Sequence, residues 1–201
     1  MNFFWRSLLL PILVLTIVFL QLSSLGTVAA KSVQTMVVTS SGIQNGVIDK
    51  KYGKHGTEFY NGMPSYSLPF KITGAPKGTR SYSIVLLDHD SVPVCGFSWI
   101  HWTVANLTVA ELAENASVNP AGFIQGATSW SSGLMKKKMD RLDSARYGGM
   151  TPPDKPHQYE LKVYALDCLL DLQPGFYLNE LYNAMENHTL ATATLTGIYQ
   201  N

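Results

Sequence analysis

Residues 159–166, YELKVYAL, alternate more cleanly than any other segment of this chain. Tyr159, Leu161, Val163 and Ala165 fall on one face of an extended strand, and Glu160, Lys162 and Tyr164 on the other. Wrapped on a helix, that period of two would scatter its apolar residues around the axis, so the segment needs a sheet with one buried face. Two further runs need the same sheet. Residues 81–87 (SYSIVLL) are β-rich, and residues 99–107 (WIHWTVANL) alternate in part.

The rest of the chain is read around these three strands. A first strand is predicted at 36–39 (MVVT). Residues 42–66, rich in Gly, Asn, Lys and Tyr, are read as loop with a short strand at 47–48. Residues 66–72 carry Pro69 and are read as an edge or irregular strand. A turn at 74–78 follows. Between the second and third strong strands lies a long segment, 108–158, with a short helix predicted at 109–114 and many Gly, Ser and Pro residues. Such long irregular stretches inside a compact domain are often functional. Residues 179–187 (NELYNAMEN) place Leu181, Ala184 and Met185 at helical spacing, a core-packing stripe. Residues 190–199 fit a last helical turn or a strand, and the pattern leaves both open. Strands dominate without regular interleaving of helices, so the expected fold is mainly β: a sandwich-like pair of sheets with a few peripheral helices.

Residues 1–30 stand apart from this pattern. One charge, Arg6, precedes a long apolar core, and Val28 and Ala30 are small residues placed as at a cleavage site. This is a secretory signal peptide pattern, with an uncleaved membrane anchor as the alternative. It predicts export, to the exterior, the periplasm or the cell surface, and a domain over 31–201. Without Arg6 the chain holds fourteen basic and fourteen acidic residues. That neutrality gives no general attraction to nucleic acid. Lys136, Lys137 and Lys138 with Arg141 are read as a solvated basic face. The two cysteines, Cys95 and Cys168, are read as either a disulfide pair or separate thiols. No CxxC or Cys/His zinc spacing occurs, so no metal and no cofactor is expected.

The polar residues at the strand ends draw attention next. Asp88 and Asp90 close one strand, and His101 lies near the start of the next. His157 and Tyr159, two apart and so on one face, open the third. Tyr147 and Gly149 sit in a compact Gly/Pro loop that runs to Pro153. With those ends together, Asp88, His101, His157 and Tyr159 converge on one pocket. Imidazoles and a phenol donate to anion oxygens, and a glycine loop can offer a nest of N–H groups. A carboxylate can hold an imidazole charged or receive a ligand's ammonium. The set suits a small phosphorylated group. Each member also has a plainer use, since Asp favours turns and a histidine beside Trp102 is commonly a satisfied core residue.

The motifs DHD with Pro93, WIHWTVANL, YGGMTPP with HQYELKVYALD, and LATATLTGIY together resemble the phosphatidylethanolamine-binding protein family, especially its bacterial Raf-kinase-inhibitor-like branch. The resemblance spans roughly residues 68–199. It implies a large sheet packed on a smaller one and an anion-binding pocket. Carried over by position, the pocket residues are Asp88, Asp90, His101, Pro153, His157 and Tyr159. It also implies phospholipid headgroups or small phosphorylated groups as ligands, and a kinase or protease as protein partner in some relatives. Two features depart from the family pattern. His89 stands where Pro is usual between the acids, offering a third imidazole near the site, and Gly148-Gly149-Met150-Thr151 replaces a Gly-Pro loop.

The leading expectation is therefore an exported, non-enzymatic binding protein. One alternative is a metal-dependent hydrolase using the Asp/His/His set, although no HExxH spacing and no GxSxG elbow occurs. Another is a protease inhibitor or other interaction module, in which Phe123, Trp130 and Met135 of the 115–140 region present contacts. The sequons at Asn106, Asn115 and Asn187 matter only in a eukaryotic secretory pathway. Organism, oligomeric state and physiological ligand are not encoded in any motif.

Overall fold

The computed structural model describes residues 35–201. The signal segment predicted at 1–30 lies outside them. In chain order the strands are β1 (Val37–Thr39), β2 (Ile43–Gln44), β3 (Val47–Ile48), β4 (Phe59–Tyr60), β5 (Met63–Pro64), β6 (Phe70–Thr73), β7 (Ser81–Asp88), β8 (Trp99–Leu107), β9 (Glu111–Leu112), β10 (Ile124–Gln125), β11 (His157–Leu166) and β12 (Thr189–Tyr199). Two helices, α1 (Val92–Cys95) and α2 (Leu178–Met185), lie after β7 and before β12.

Seven strands form one sheet in the order β10-β8-β7-β11-β12-β3-β2, and three form a smaller sheet, β1-β6-β9. The three strong strand signals sit side by side at the centre: β7 pairs antiparallel with both β8 and β11. β7 is buried almost throughout because the sheet is covered on both faces. Ile84 and Leu86 join Trp102, Leu161 and Val163 in the main core, against Val38, Phe70, Ile72 and Leu112 of the small sheet. Val85, pointing the other way, packs with Leu170, Phe176, Leu181 and Met185 around α2. β11 buries Tyr159, Leu161, Val163 and Ala165, as its alternation requires. This is the expected mainly β architecture, a large sheet on a smaller one with peripheral helices.

Several local expectations are corrected. Residues 109–114 are not helical: β9 pairs with β6, matching Glu111 to Lys71 in an ion pair at 3.1 Å and turning Leu112 into the core. A helix there would leave the edge of β6 unpaired. Residues 66–69 are not strand, since pairing begins only after Pro69. Residues 190–199 are strand, paired with β11 along its whole length. The 42–66 region is more structured than expected: the short strand read at 47–48 is β3, and it belongs to the first of two hairpins. Each turns on an Asn-Gly pair with positive φ at both residues, Asn45-Gly46 (51° and 77°) and Asn61-Gly62 (50° and 85°). That is the signature of a tight hairpin turn matched to strand twist.

Both cysteines are free thiols. The carbonyl of Cys168 accepts from Ser81 Oγ at the start of β7, while Cys95 follows the end of that strand. Seven residue steps of strand separate those ends by roughly 24 Å, far beyond the ~4.4–6.8 Å Cα separation that a disulfide spans.

Candidate functional site

The site is built where β7 ends, β8 begins and β11 begins, and the register fixes the meeting: Asp88 is opposite Trp99 on one side and Tyr159 on the other. The chain turns away from β7 through Ser91. Its backbone N–H donates to Asp88 Oδ1 at 3.0 Å, and its hydroxyl donates to the Asp88 carbonyl. The second carboxylate oxygen of Asp88 accepts from His157 Nδ1 at 2.8 Å. His157 Nε2 donates in turn to Asp154 Oδ1 at 2.9 Å. With a carboxylate oxygen at each nitrogen, the ring is placed to donate from both, an arrangement that favours the imidazolium. Burial opposes that charge, but the hydrogen bonds to Asp88 and then Asp154 outweigh it and hold the His157 pKa above its ordinary value.

His101 is placed differently. The β7–β8 register slips between Leu86 and Leu87, which pair with Trp102 and Ile100, so His101 is the extra residue of a bulge. A bulge re-aims its side chain. His101 Nδ1 donates to the Gly148 carbonyl at 2.6 Å, and the Gly148 N–H donates back to the His101 carbonyl at 2.8 Å. Burial holds the His101 pKa below its ordinary value. The neutral ring, with its proton on Nδ1, lines a cavity.

That cavity measures about 160 Å³ and is walled by Asp88, Cys95, Trp99, His101, Trp130 and Pro153, with Ser91, Val94, Met135 and Thr151. Its surface is mostly apolar. Two buried indole N–H groups, Trp99 Nε1 and Trp130 Nε1, have no hydrogen-bond partner among the described residues, and Trp130 Nε1 is packed against Gly148. The Tyr159 hydroxyl, beside Asp88 in register and edge-on to His101 at 5.1 Å, is also buried and unpartnered. Burial, and then the charge of Asp88, pushes its pKa far up. It is a neutral phenol at any ordinary pH.

Of the residues singled out from sequence, Asp88, His101 and Pro153 line the cavity, and His157 and Tyr159 back it. Asp90 does not reach it; its carboxylate accepts from the Gln158 N–H and anchors the start of β11. Tyr147 is buried under the glycine loop, its hydroxyl donating to the Tyr52 carbonyl. The glycine loop is no anion nest. The N–H groups of Gly148, Gly149 and Met150 donate to the carbonyls of His101, Pro64 and Tyr52. Gly149 is glycine for a packing reason, since a Cβ there would lie 2.4 Å from the Tyr52 carbonyl oxygen. His89 adds no third imidazole, because it faces Ser98 and Glu160 at the surface.

Sequence reasoning missed Ser91, Trp99, Thr151 and Asp154. Asp154, three residues before His157, is the one with a legible signal, a carboxylate spaced to meet the histidine of the next strand. Trp130 and Met135, which the interaction-module alternative would place at a contact surface, wall the cavity, and Phe123 is buried in the core. The Asn106 side-chain amide is committed to both backbone groups of Leu170, away from any sequon role.

Comparison with known proteins agrees with the fold. A profile of the family described as phosphatidylethanolamine-binding protein matches residues 38–200. The uncharacterized protein YxkA of Bacillus subtilis is 45% identical over 156 residues, covering 75% of this chain and 92% of that protein. A crystal structure of a phosphatidylethanolamine-binding protein homolog from Chlamydia trachomatis superposes with a TM-score of 0.68 at 31% identity, over 84% of this chain and 99% of its own. YbcL of Escherichia coli, described as a member of the mammalian family, gives 0.65 at 26%, over 83% and 98%.

Proposed function

The chain belongs to the phosphatidylethanolamine-binding protein family, and from that premise we propose that it is an exported, non-enzymatic binding protein for small zwitterionic phosphorylated groups such as phosphoethanolamine, free or as a lipid headgroup. The observation that carries the reading is the cavity itself, a small and mostly apolar space with Asp88 and His101 in its wall, backed by the buried Asp88–His157 pair. The volume, about 160 Å³, is well below the ~300–1,000 Å³ of a drug-sized pocket. It suits one headgroup-sized moiety and leaves acyl chains outside.

Charge refines the ligand class. Two carboxylates, those of Asp88 and Asp154, flank a single imidazole, so the site offers more negative than positive charge. A bare phosphate dianion meets repulsion here. A group carrying an ammonium, or a phosphate proton, finds the Asp88 carboxylate as an acceptor. The hydrolase alternative fits poorly. Both His157 nitrogens are engaged with carboxylates, leaving no lone pair for a metal. The Ser91 hydroxyl and the Cys95 thiol also have backbone carbonyls as partners.

The test is thermal unfolding with phosphoethanolamine, with inorganic phosphate and with neither, on the wild type and on Trp130→Phe. At about a hundred times its dissociation constant a ligand adds roughly 2.7 kcal/mol, which for a domain of this size raises Tm by roughly 5–10 °C. Phosphoethanolamine is expected to give that shift, phosphate a smaller one, and Trp130→Phe to reduce both. No shift with either compound overturns the reading.

A further inference from the structure

The other end of the central strand pair carries a second cluster of chemistry-bearing side chains. Asp167 and Cys168 leave the end of β11, and His188 enters β12 directly beside them. One ligand atom of each, the Asp167 carboxylate, the Cys168 thiol and a His188 ring nitrogen, lies within 4.8 Å of the other two. We propose that Asp167, Cys168 and His188 form a three-donor site for a borderline divalent transition-metal ion, zinc above all, with a fourth position open to solvent.

The backbone beneath the three is held from several sides. The Asp167 N–H donates to the His188 carbonyl at 3.1 Å, continuing the ladder that matches Leu166 to Thr189. The His188 N–H donates to the Met185 carbonyl at the end of α2. Ser81 Oγ donates to the Cys168 carbonyl, and two residues on, the Asn106 amide clamps both the N–H and the carbonyl of Leu170 at 2.7 and 2.9 Å. Donors fixed on such a frame lose little freedom when they take up an ion. The side chains are reachable. Asp167 and His188 are 45% and 47% exposed, and Cys168 is half-buried.

The donor types choose the ion. A set of one thiol sulfur, one imidazole nitrogen and one carboxylate oxygen suits zinc or a similar borderline ion. Calcium, which takes six to eight oxygens, has too few partners here. Metal–ligand bonds of about 2.0–2.3 Å at a tetrahedral ion place donors roughly 3.3–3.8 Å apart. Small side-chain rotations therefore close the set. In the metal-free state Asp167 and His188 pair with each other at 2.9 Å, a contact the ion would replace with two bonds of its own. The ligand positions 167, 168 and 188 match no compact sequence motif, because the antiparallel β11–β12 pairing, rather than a local turn, brings them together.

The site is independent of the anion cavity, which lies at the opposite end of β11, and its test separates the two. The purified, reduced protein is dialysed against zinc and cobalt(II), and bound metal per chain is measured. The expected result is one equivalent, with a thiolate-to-cobalt charge-transfer band in the near ultraviolet. Cys168→Ser should abolish the band, and His188→Gln should weaken binding at least about tenfold. Trp130→Phe, in the cavity, should change neither. Absence of stoichiometric metal, or metal bound equally well by Cys168→Ser and His188→Gln, overturns the proposal. Metal lost only in His101→Gln would place the ion in the cavity and overturn it too.

Discussion

The two ends of β11 use the same kinds of side chain to opposite effect. At the start of the strand, His157 is fully buried between Asp88 and Asp154, with both ring nitrogens engaged. At its end, His188 meets Asp167 in the open, both about half exposed. At the first, the imidazole is shut away from water, so its hydrogen bond to buried Asp88 goes unscreened, with Asp154 closing the array from the solvent side. At the second, water screens the pair, and its groups stay free to take another partner. Burial, more than residue identity, sets whether an Asp–His pair is a fixed electrostatic element or an available ligand set.

The sharpest way to break this contrast is to remove one carboxylate from each end. Asp88→Ala leaves His157 as a buried charge with one exposed partner and takes away the acceptor of the Ser91 N–H. Breaking a buried pair costs about 3–5 kcal/mol. Asp167→Ala removes half of an exposed pair, worth under about 1 kcal/mol. Chemical denaturation measures both. Similar losses at the two ends would show that solvent exposure does not distinguish them.

A second test uses pH. The raised pKa of His157 means that its contribution to stability is fully present below about pH 6.5 and is lost as pH rises through the folded-state value. His101 acts in the opposite sense. Its lowered pKa favours the neutral ring, so its contribution is lost as pH falls below about 6.5. Stability measured from pH 5 to 9 should therefore fall at both extremes. His157→Gln should flatten the alkaline side and leave the acid side. Should His157→Gln fail to fold, Asp154→Asn tests the same point by moving the alkaline fall to lower pH. An alkaline side unchanged in both variants would mean that His157 is not the group responsible.

How much of this the sequence carried depends on whether the cause is local. The period-two pattern of 159–166 and the apolar runs at 81–87 and 99–107 named the three central strands, because alternation records which face is buried. The motifs around Asp88, His101 and His157 placed those residues together, since strand ends in adjacent register must meet. The two Asn-Gly hairpins were equally local and were passed over, because the flanking strands are only two residues long and show no alternation. What no local pattern holds is pairing across the fold. The helix expected at 109–114 gave way to an edge strand because β6 needed a partner. Trp130 became a wall of the cavity because the loop folds back over Gly148. The hydrogen bonds that disqualify the glycine loop as a nest go to Pro64 and Tyr52, more than eighty residues earlier.

The smallest effect concerns Tyr159, which stands against the same Asp88 that holds His157 but makes no hydrogen bond of its own. An unpartnered buried hydroxyl is a penalty of roughly 1–3 kcal/mol already present in the folded protein. Tyr159→Phe keeps the ring and its edge-on contact with His101, so it should leave stability unchanged or raise it slightly. If the hydroxyl is held ready for a ligand oxygen, the same variant should lose part of the Tm shift with phosphoethanolamine. A stable variant with a reduced ligand shift would make the start of β11 a site whose unmet hydrogen bonds serve binding. A variant destabilised by more than about 1 kcal/mol would instead show that the phenol donates to Asp88 in solution. The array at that end would then be a closed network of four groups, with nothing left over from Tyr159 to offer a ligand.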